Sequence, residues 1–231
     1  MKSSRKSIVL LVVALSLLVS IPSWAQESTV DKRVENATQV LLEFMQSPDK
    51  EVPMELFRKS AAVAVFPRVL QGAFFVGGKF GRGLISTYDA ENQSWSAPAF
   101  FTVGGGSIGF QFGGESIDLI LFILNKRGIE SLLSGKVTLG GDVSATAGPV
   151  GRTMAADTDI LLTAEIYSYS RTKGLFAGVS LKGAIVAPDN ESNEAFYGTP
   201  LNARDILLEN KAQPIKEAEQ LVKTLKQFSG K

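Results

Sequence analysis

The 231-residue sequence contains no histidine and no cysteine. Those two absences remove Ser-His-Asp and Cys-His nucleophile systems, imidazole and thiolate metal sites, and disulfides together. What remains for chemistry is carboxylate, hydroxyl, amine, guanidinium and glycine backbone. Gly104-Gly105-Gly106-Ser107-Ile108-Gly109 has the glycine spacing of a dinucleotide loop and follows an apolar strand. Such a loop must open a helix. Here Ile108, Phe110 and Phe112 alternate as a strand with Gly113 and Gly114 behind them, which predicts a bulged hairpin. Gly78-Lys79 lacks the spacing and the hydroxyl of a phosphate loop. Asp157 and Asp159 offer oxygens to a hard cation, but no further acid stands near them, and they read as a turn before a strand. Ser134 and Lys136 have nothing to supply an oxyanion site. No catalytic residue, metal site or cofactor is expected, and the chain is not expected to be an enzyme.

Charge is more informative. Asp118 interrupts the apolar run Ile117–Leu124, where a carboxylate needs a partner; Arg152 and Arg171 are the candidates for a buried ion pair. Lys79, Arg82, Arg152, Arg171, Lys173 and Lys182 lie at or beside glycine turns. They read either as ordinary solvated turn residues or as an anion or phospholipid headgroup site at the rim of a barrel-like sheet. A net charge of +1 gives no electrostatic footprint for nucleic acid.

These residues must be carried by a real core, and 45% hydrophobic residues suffice to build one. The first 25 residues read as an export signal: a basic start (Lys2, Arg5, Lys6), a 14-residue apolar run from Ile8 to Ile21, and Ser23-Trp24-Ala25 before the cut. Cleavage after Ala25 leaves 206 residues with 21 bases against 23 acids, a charge of −2. The expected location is the periplasm or cell envelope. Residues 26–51 contain an amphipathic helix over about Ser28–Gln46, with Val34, Ala37, Val40, Leu41 and Phe44 on one face. Pro53 opens a second, short helix carrying Leu56, Phe57, Arg58 and Lys59. From Ala62 to about Ala187 strands punctuated by glycine follow, with one short helix near Ile129–Leu133. Val137–Ala147 and Leu175–Val186 are each expected as one strand, Ala62–Phe66 and Ala73–Val76 as two. Asn202 can cap a helix to Leu208. Residues 209–231 form a C-terminal amphipathic helix opened by Pro214, its face of Leu221, Val222, Leu225 and Phe228 expected to pack on the domain. The predicted fold class is α+β: a single domain with a strongly curved, mostly antiparallel, barrel-like sheet and helices at both ends.

Several strings then resemble one family in register. They include Ala64-Val65-Phe66-Pro67, Gly72-Ala73-Phe74-Phe75-Val76-Gly77-Gly78-Lys79, Trp95-Ser96-Ala97-Pro98-Ala99, Gly148-Pro149-Val150-Gly151-Arg152, Tyr169-Ser170-Arg171 and Lys173-Gly174-Leu175-Phe176-Ala177-Gly178. Over about residues 52–208 the chain resembles the SYLF domain, also called the YAB module. The resemblance implies a non-catalytic lipid-binding module whose eukaryotic members bind phosphoinositides and in some cases actin. It also implies membrane contact through a lysine-rich helix at the start of the domain. The matching stretch keeps Pro53, Leu56 and Ala61 but has only Arg58 and Lys59 as bases, opposed by Glu51 and Glu55.

The expected function is binding of phospholipid or an anionic membrane surface. The contact set is Leu56, Phe57, Arg58 and Lys59, then Lys79, Arg82, Arg152, Arg171 and Lys173. An exported protein meets neither phosphoinositides nor actin in its own cell, so anionic bacterial phospholipid is the expected partner and actin is not. The alternative is a structural or protein-interaction module of the cell envelope, with an envelope protein as partner.

Overall fold

The computed structural model describes residues 23–47, 51–74, 76–107, 115–149, 164–172, 175–213 and 215–230. The strand expected at Ile108–Phe112, together with Asp157, Asp159, Arg152 and Lys173, lies outside the described residues. Helix α1 (Ser23–Met45) and helix α2 (Glu51–Lys59) precede strands β1 (Ala62–Phe74), β2 (Val76–Asp89), β3 (Ser94–Trp95), β4 (Ala99–Ser107) and β5 (Glu115–Ile123). Helix α3 (Lys126–Leu133) leads to β6 (Val137–Thr138), β7 (Ala145–Ala147), β8 (Ile166–Thr172), β9 (Leu175–Gly178) and β10 (Ile185–Pro188). Helices α4 (Asn190–Tyr197), α5 (Ala203–Leu207) and α6 (Lys216–Ser229) complete the chain.

The strands form one sheet in the order β6-β10-β4-β2-β1-β5-β8-β7, with β3 paired to β2 and β9 to β8. Every pair of strands is antiparallel except β7 with β8. The expected curvature follows from the chain itself. Strands β6 and β7 stand at opposite edges, yet Thr138 and Ala145 are joined by only seven peptide steps. Seven steps reach about 25 Å at most, so the two edges must curl toward each other.

Curling separates an inner face from an outer one. On the inner face Ala62, Ala64, Phe66, Phe101, Leu119, Leu121, Ile166 and Val186 form one cluster, closed by Ile129 and Leu132 of α3 and Ile206 and Leu207 of α5. On the outer face Val63, Val65, Leu84, Phe100, Ile120, Phe122, Tyr167 and Tyr169 lie under α1, α2 and α6. Burial on both faces explains why Ala62–Phe66 and Leu119–Ile123 read as unbroken apolar runs rather than alternations. Helix α1 buries Val30, Val34, Ala37, Val40, Leu41 and Phe44, the stripe its spacing predicts. Its Phe44 ring meets Phe122 at 5.7 Å, Tyr169 at 5.4 Å and Phe176 at 4.6 Å. Its other half is held by Arg33, which donates to Asp189 at 3.2 Å and Ser192 at 3.1 Å and lies over the Phe100 ring.

Four expectations meet the structure differently. Ala62–Phe66 and Ala73–Val76 are not two strands: β1 runs unbroken to Phe74, and its pairing shifts register at Pro67-Arg68. Pro67 has no N–H to give the ladder, and Arg68 adopts φ 51°, so the chain bulges rather than ends. Val137–Ala147 is two short strands, parted by a turn in which Gly140 has φ 73°. Leu175–Val186 is likewise two strands, broken around Gly183 at φ 82°. Helix α4 has no counterpart among the expected elements; it is capped by Asp189 and closed by Gly198, with too few apolar residues to show a period. Asn202 caps α5 in a reciprocal box with Asp205, and α6 packs inward through Ala218, Leu221 and Leu225, both as expected.

Candidate functional site

Helix α2 shows how an apolar stripe is used. Leu56 and Phe57 are fully buried, with Phe57 stacked on Trp95 at 5.7 Å and edge-on to Phe122 at 5.9 Å. They hold the helix to the sheet and are not presented outward, which corrects their expected place in a membrane contact. The outward side carries Glu55, Arg58 and Lys59, and Lys59 Nζ is 2.6 Å from Glu55 one turn away. Arg58 is then the single outward base of α2 without a carboxylate within 4.0 Å among the described residues. An isolated exposed base gives weak attraction, about 1 kcal/mol near an anionic surface.

Arg171, expected among the lipid-contacting bases, is an internal strut. Its Nε and Nη2 donate to Asp118 Oδ2 at 2.9 and 2.7 Å, its Nη1 pairs with Glu43 of α1, and its guanidinium lies over the Phe176 ring at 5.5 Å. Burial pulls its pKa below the usual arginine value. This is the ion pair expected for Asp118, with Arg171 as the partner. The other Asp118 oxygen accepts the backbone N–H of Arg68 at 2.9 Å, so one carboxylate ties the β1 bulge, β5, β8 and α1 together.

Lys79 and Arg82 lie in the same stretch of β2 but on opposite faces, because side chains alternate along a strand. Lys79 shares the inner face with Ile85 and is half-buried, and burial lowers the pKa of its ammonium. Arg82 is exposed on the outer face and lies over Phe80 at 6.0 Å. Arg68 is exposed at the bulge. No carboxylate of the described residues stands within 4.0 Å of Arg68, Lys79 or Arg82. Arg68 and Lys79 lie toward one end of the sheet, and Arg82 lies at the margin of the helix layer, where its charge acts on Arg33 of α1.

That end also holds what the sequence reading did not single out. Leu70, Phe80, Leu175 and Ile185 are the exposed large apolar side chains among the described residues. In sequence each sits inside an apolar or glycine-rich strand and gives no signal of exposure. Elsewhere, a groove of about 480 Å³ lies between Trp95, Ala97 and Ala212 and the Ile215, Ala218 and Val222 side of α6. Its charged residues Glu219, Lys223 and Lys226 are of mixed sign. No group of three or more acidic residues suited to a metal occurs among the described residues, and no helix among them is long and apolar enough to cross a membrane.

Comparison with known proteins places this architecture. Residues 104–228 match the family Ysc84, described as Las17-binding protein actin regulator, and the match runs on past Leu208 through α6. The rat protein "SH3 domain-containing YSC84-like protein 1" is 31% identical over 210 residues, covering 88% of this chain and 61% of that protein. "LAS seventeen-binding protein 3" of Saccharomyces cerevisiae is 32% identical over 188 residues, 78% of this chain and 40% of that protein. This chain therefore spans about 61% of the length of the rat relative. None of these names is that of a catalyst.

Proposed function

Because this chain belongs to the Ysc84 family, which is the SYLF family, we propose that it is a non-catalytic module that binds anionic phospholipid on a membrane surface of the bacterial cell envelope. The observation that supports this reading is the set of exposed or half-exposed bases toward one end of the sheet and at the margin of the helix layer. Arg68, Lys79 and Arg82 stand there without carboxylate partners among the described residues, while Arg33, Lys59, Arg171 and Lys211 are engaged by acids. A mature chain of net charge −2 has no general attraction to an anionic bilayer, so binding rests on such local groups. Export with cleavage after Ala25 brings the chain to that surface, and N-terminal sequencing of the periplasmic form should begin at Gln26.

The purified chain is expected to sediment with vesicles containing phosphatidylglycerol or cardiolipin, less with pure phosphatidylcholine, and less as salt rises. Exchange of Arg68 and Arg82 for Glu should weaken sedimentation more than exchange of Arg58 and Lys59 for Glu. Absence of sedimentation with every vesicle would end the lipid reading. The second reading, a protein-interaction module, is favoured by the matched names, two of which describe binding to a protein partner. A stable envelope-protein complex indifferent to lipid would select it.

A further inference from the structure

The sheet register lines up three of the exposed apolar side chains. Leu70 of β1 pairs with Phe80 of β2, Phe80 with Gly104 of β4, and Gly104 with Ile185 of β10. Directly paired residues point to the same side of a sheet, so Leu70, Phe80 and Ile185 stand in one row on the outer face. They are 63%, 53% and 41% exposed. Strand spacing makes this row about 15 Å wide. A Cβ added to Gly104 in its middle would meet nothing closer than Lys79 O at 3.7 Å, and one added to Gly78 nothing closer than Gly105 O at 3.9 Å. Glycine keeps the surface flat, and no described helix roofs it.

The same outer face is roofed farther along the same strands, where Leu84, Phe100 and Val63 are buried under helices. The apolar row therefore begins where the helix layer stops, and Arg82 marks the boundary, one alternation from Phe80 toward Leu84. Among the described residues, Asp118 is paired with Arg171 and accepts the Arg68 N–H, while Asp142 accepts the Thr138 N–H at 2.8 Å and keeps its negative charge.

We propose that the row Leu70–Phe80–Ile185 enters the headgroup layer of an anionic bilayer, with Arg82 and Arg68 on the lipid phosphates beside it. The proposal rests on the lipid reading above and names its contact surface. A flat apolar row beside Arg82 and Arg68, which no described carboxylate pairs, is complementary to a planar interface of acyl chains under negative headgroups. Apolar insertion also supplies the component of binding that salt does not screen.

The test uses Phe80→Trp and the double variant Leu70→Ser with Phe80→Ser, with vesicles of phosphatidylglycerol carrying brominated acyl chains. All three changes fall on exposed positions and should leave the melting temperature unchanged. In the Phe80→Trp variant the emission of the introduced indole is expected to shift to the blue on vesicle addition and to be quenched by bromine. Trp95, buried and stacked on Phe57, should not respond, so the parent chain serves as reference. The double serine variant should partition about tenfold less or weaker still. If the parent sediments while the introduced indole stays unquenched, or the serine variant binds as well as the parent, this surface is not the contact and the lipid reading stands without it. If the introduced indole already emits as a buried one without vesicles, another part of the chain or a second copy covers the row and the proposal falls. If no vesicle binds the parent, the lipid reading and this proposal fail together.

Discussion

Strands β1, β2 and β4 each pass through two environments on the outer face of the sheet. In one, Val63, Leu84 and Phe100 lie beneath α1, α2 and α6, continuous with the rings of Phe44, Phe57, Phe122 and Tyr169. In the other, Leu70 and Phe80 are exposed, with half-buried Gly104 paired beside Phe80. Residue type does not separate the two parts, since leucine and phenylalanine occur in both. The divide is the bulge at Pro67-Arg68 and the reach of α1, which is tied down at its middle by Arg33 to Asp189 and near its C-terminal end by Glu43 to Arg171. The roofed half gains stability from apolar area removed from water, about 25 cal/mol per Å². The open half leaves that free energy unrealised in the isolated chain, so it remains available to a surface that covers it.

Matched truncations on the two halves should show the largest difference. Phe122→Ala removes a fully buried ring with three aromatic neighbours and should cost roughly 3–5 kcal/mol. Phe80→Ala should change stability by no more than about 0.5 kcal/mol. Urea unfolding of both variants measures this, and similar losses would mean that the open half is packed in solution.

Next in size is the tie between the halves. Asp118→Ala leaves Arg171 with Glu43 alone and strips the acceptor from the Arg68 N–H. A loss of roughly 2–3 kcal/mol is expected, read by the same unfolding curves. Hydrogen exchange should rise first at the bulge.

Glycine sharpens the contrast further. At Gly83 a Cβ would stand 2.2 Å from Val65 O and 2.5 Å from the Phe66 ring, so Gly83→Ala should cost about 1–3 kcal/mol. Gly104→Ala meets nothing within 3.7 Å and should stay within about 0.5 kcal/mol of the parent. Equal melting temperatures for the two variants would contradict the packing described.

The smallest effect is one of pH. Burial, with Tyr167 nearby, raises the pKa of Tyr169 above its ordinary 10.0, and burial does the same for Tyr197. Their hydroxyls donate to Pro149 O at 2.8 Å and Pro98 O at 2.7 Å. Below pH 10 both states hold the protons. Above it the unfolded chain releases them while the folded chain retains them, so stability falls as pH rises past 10. Replacing both tyrosines by Phe should cost about 1 kcal/mol each at neutral pH and flatten the decline between about pH 9 and 11 in urea midpoints.

Much of this was legible in the sequence, for identifiable reasons. Helix α1 declares itself through Val34, Ala37, Leu41 and Phe44, because the helical period depends only on neighbours three and four residues apart. The cap at Asn202 is equally local in its physics, whereas α4, which Gly198 closes, is not legible because it lacks the apolar residues that would show its period. The curved sheet is announced by glycines interrupting apolar strands. The missing histidine and cysteine remove whole classes of chemistry before any fold is known.

Exposure and pairing are different in kind, since they depend on residues far away along the chain. Asp118 needed a cation, but Arg171, 53 residues on, became its partner through the β5–β8 register. Leu56 and Phe57 beside two bases have the pattern of a membrane-seeking helix face, yet packing on Trp95 and Phe122 turned that face inward. Leu70 and Phe80 have the pattern of a core strand and stand outside it. A side chain's type sets how much free energy its burial releases, whereas which surface receives it is settled by strands and helices that meet only when the whole chain has folded.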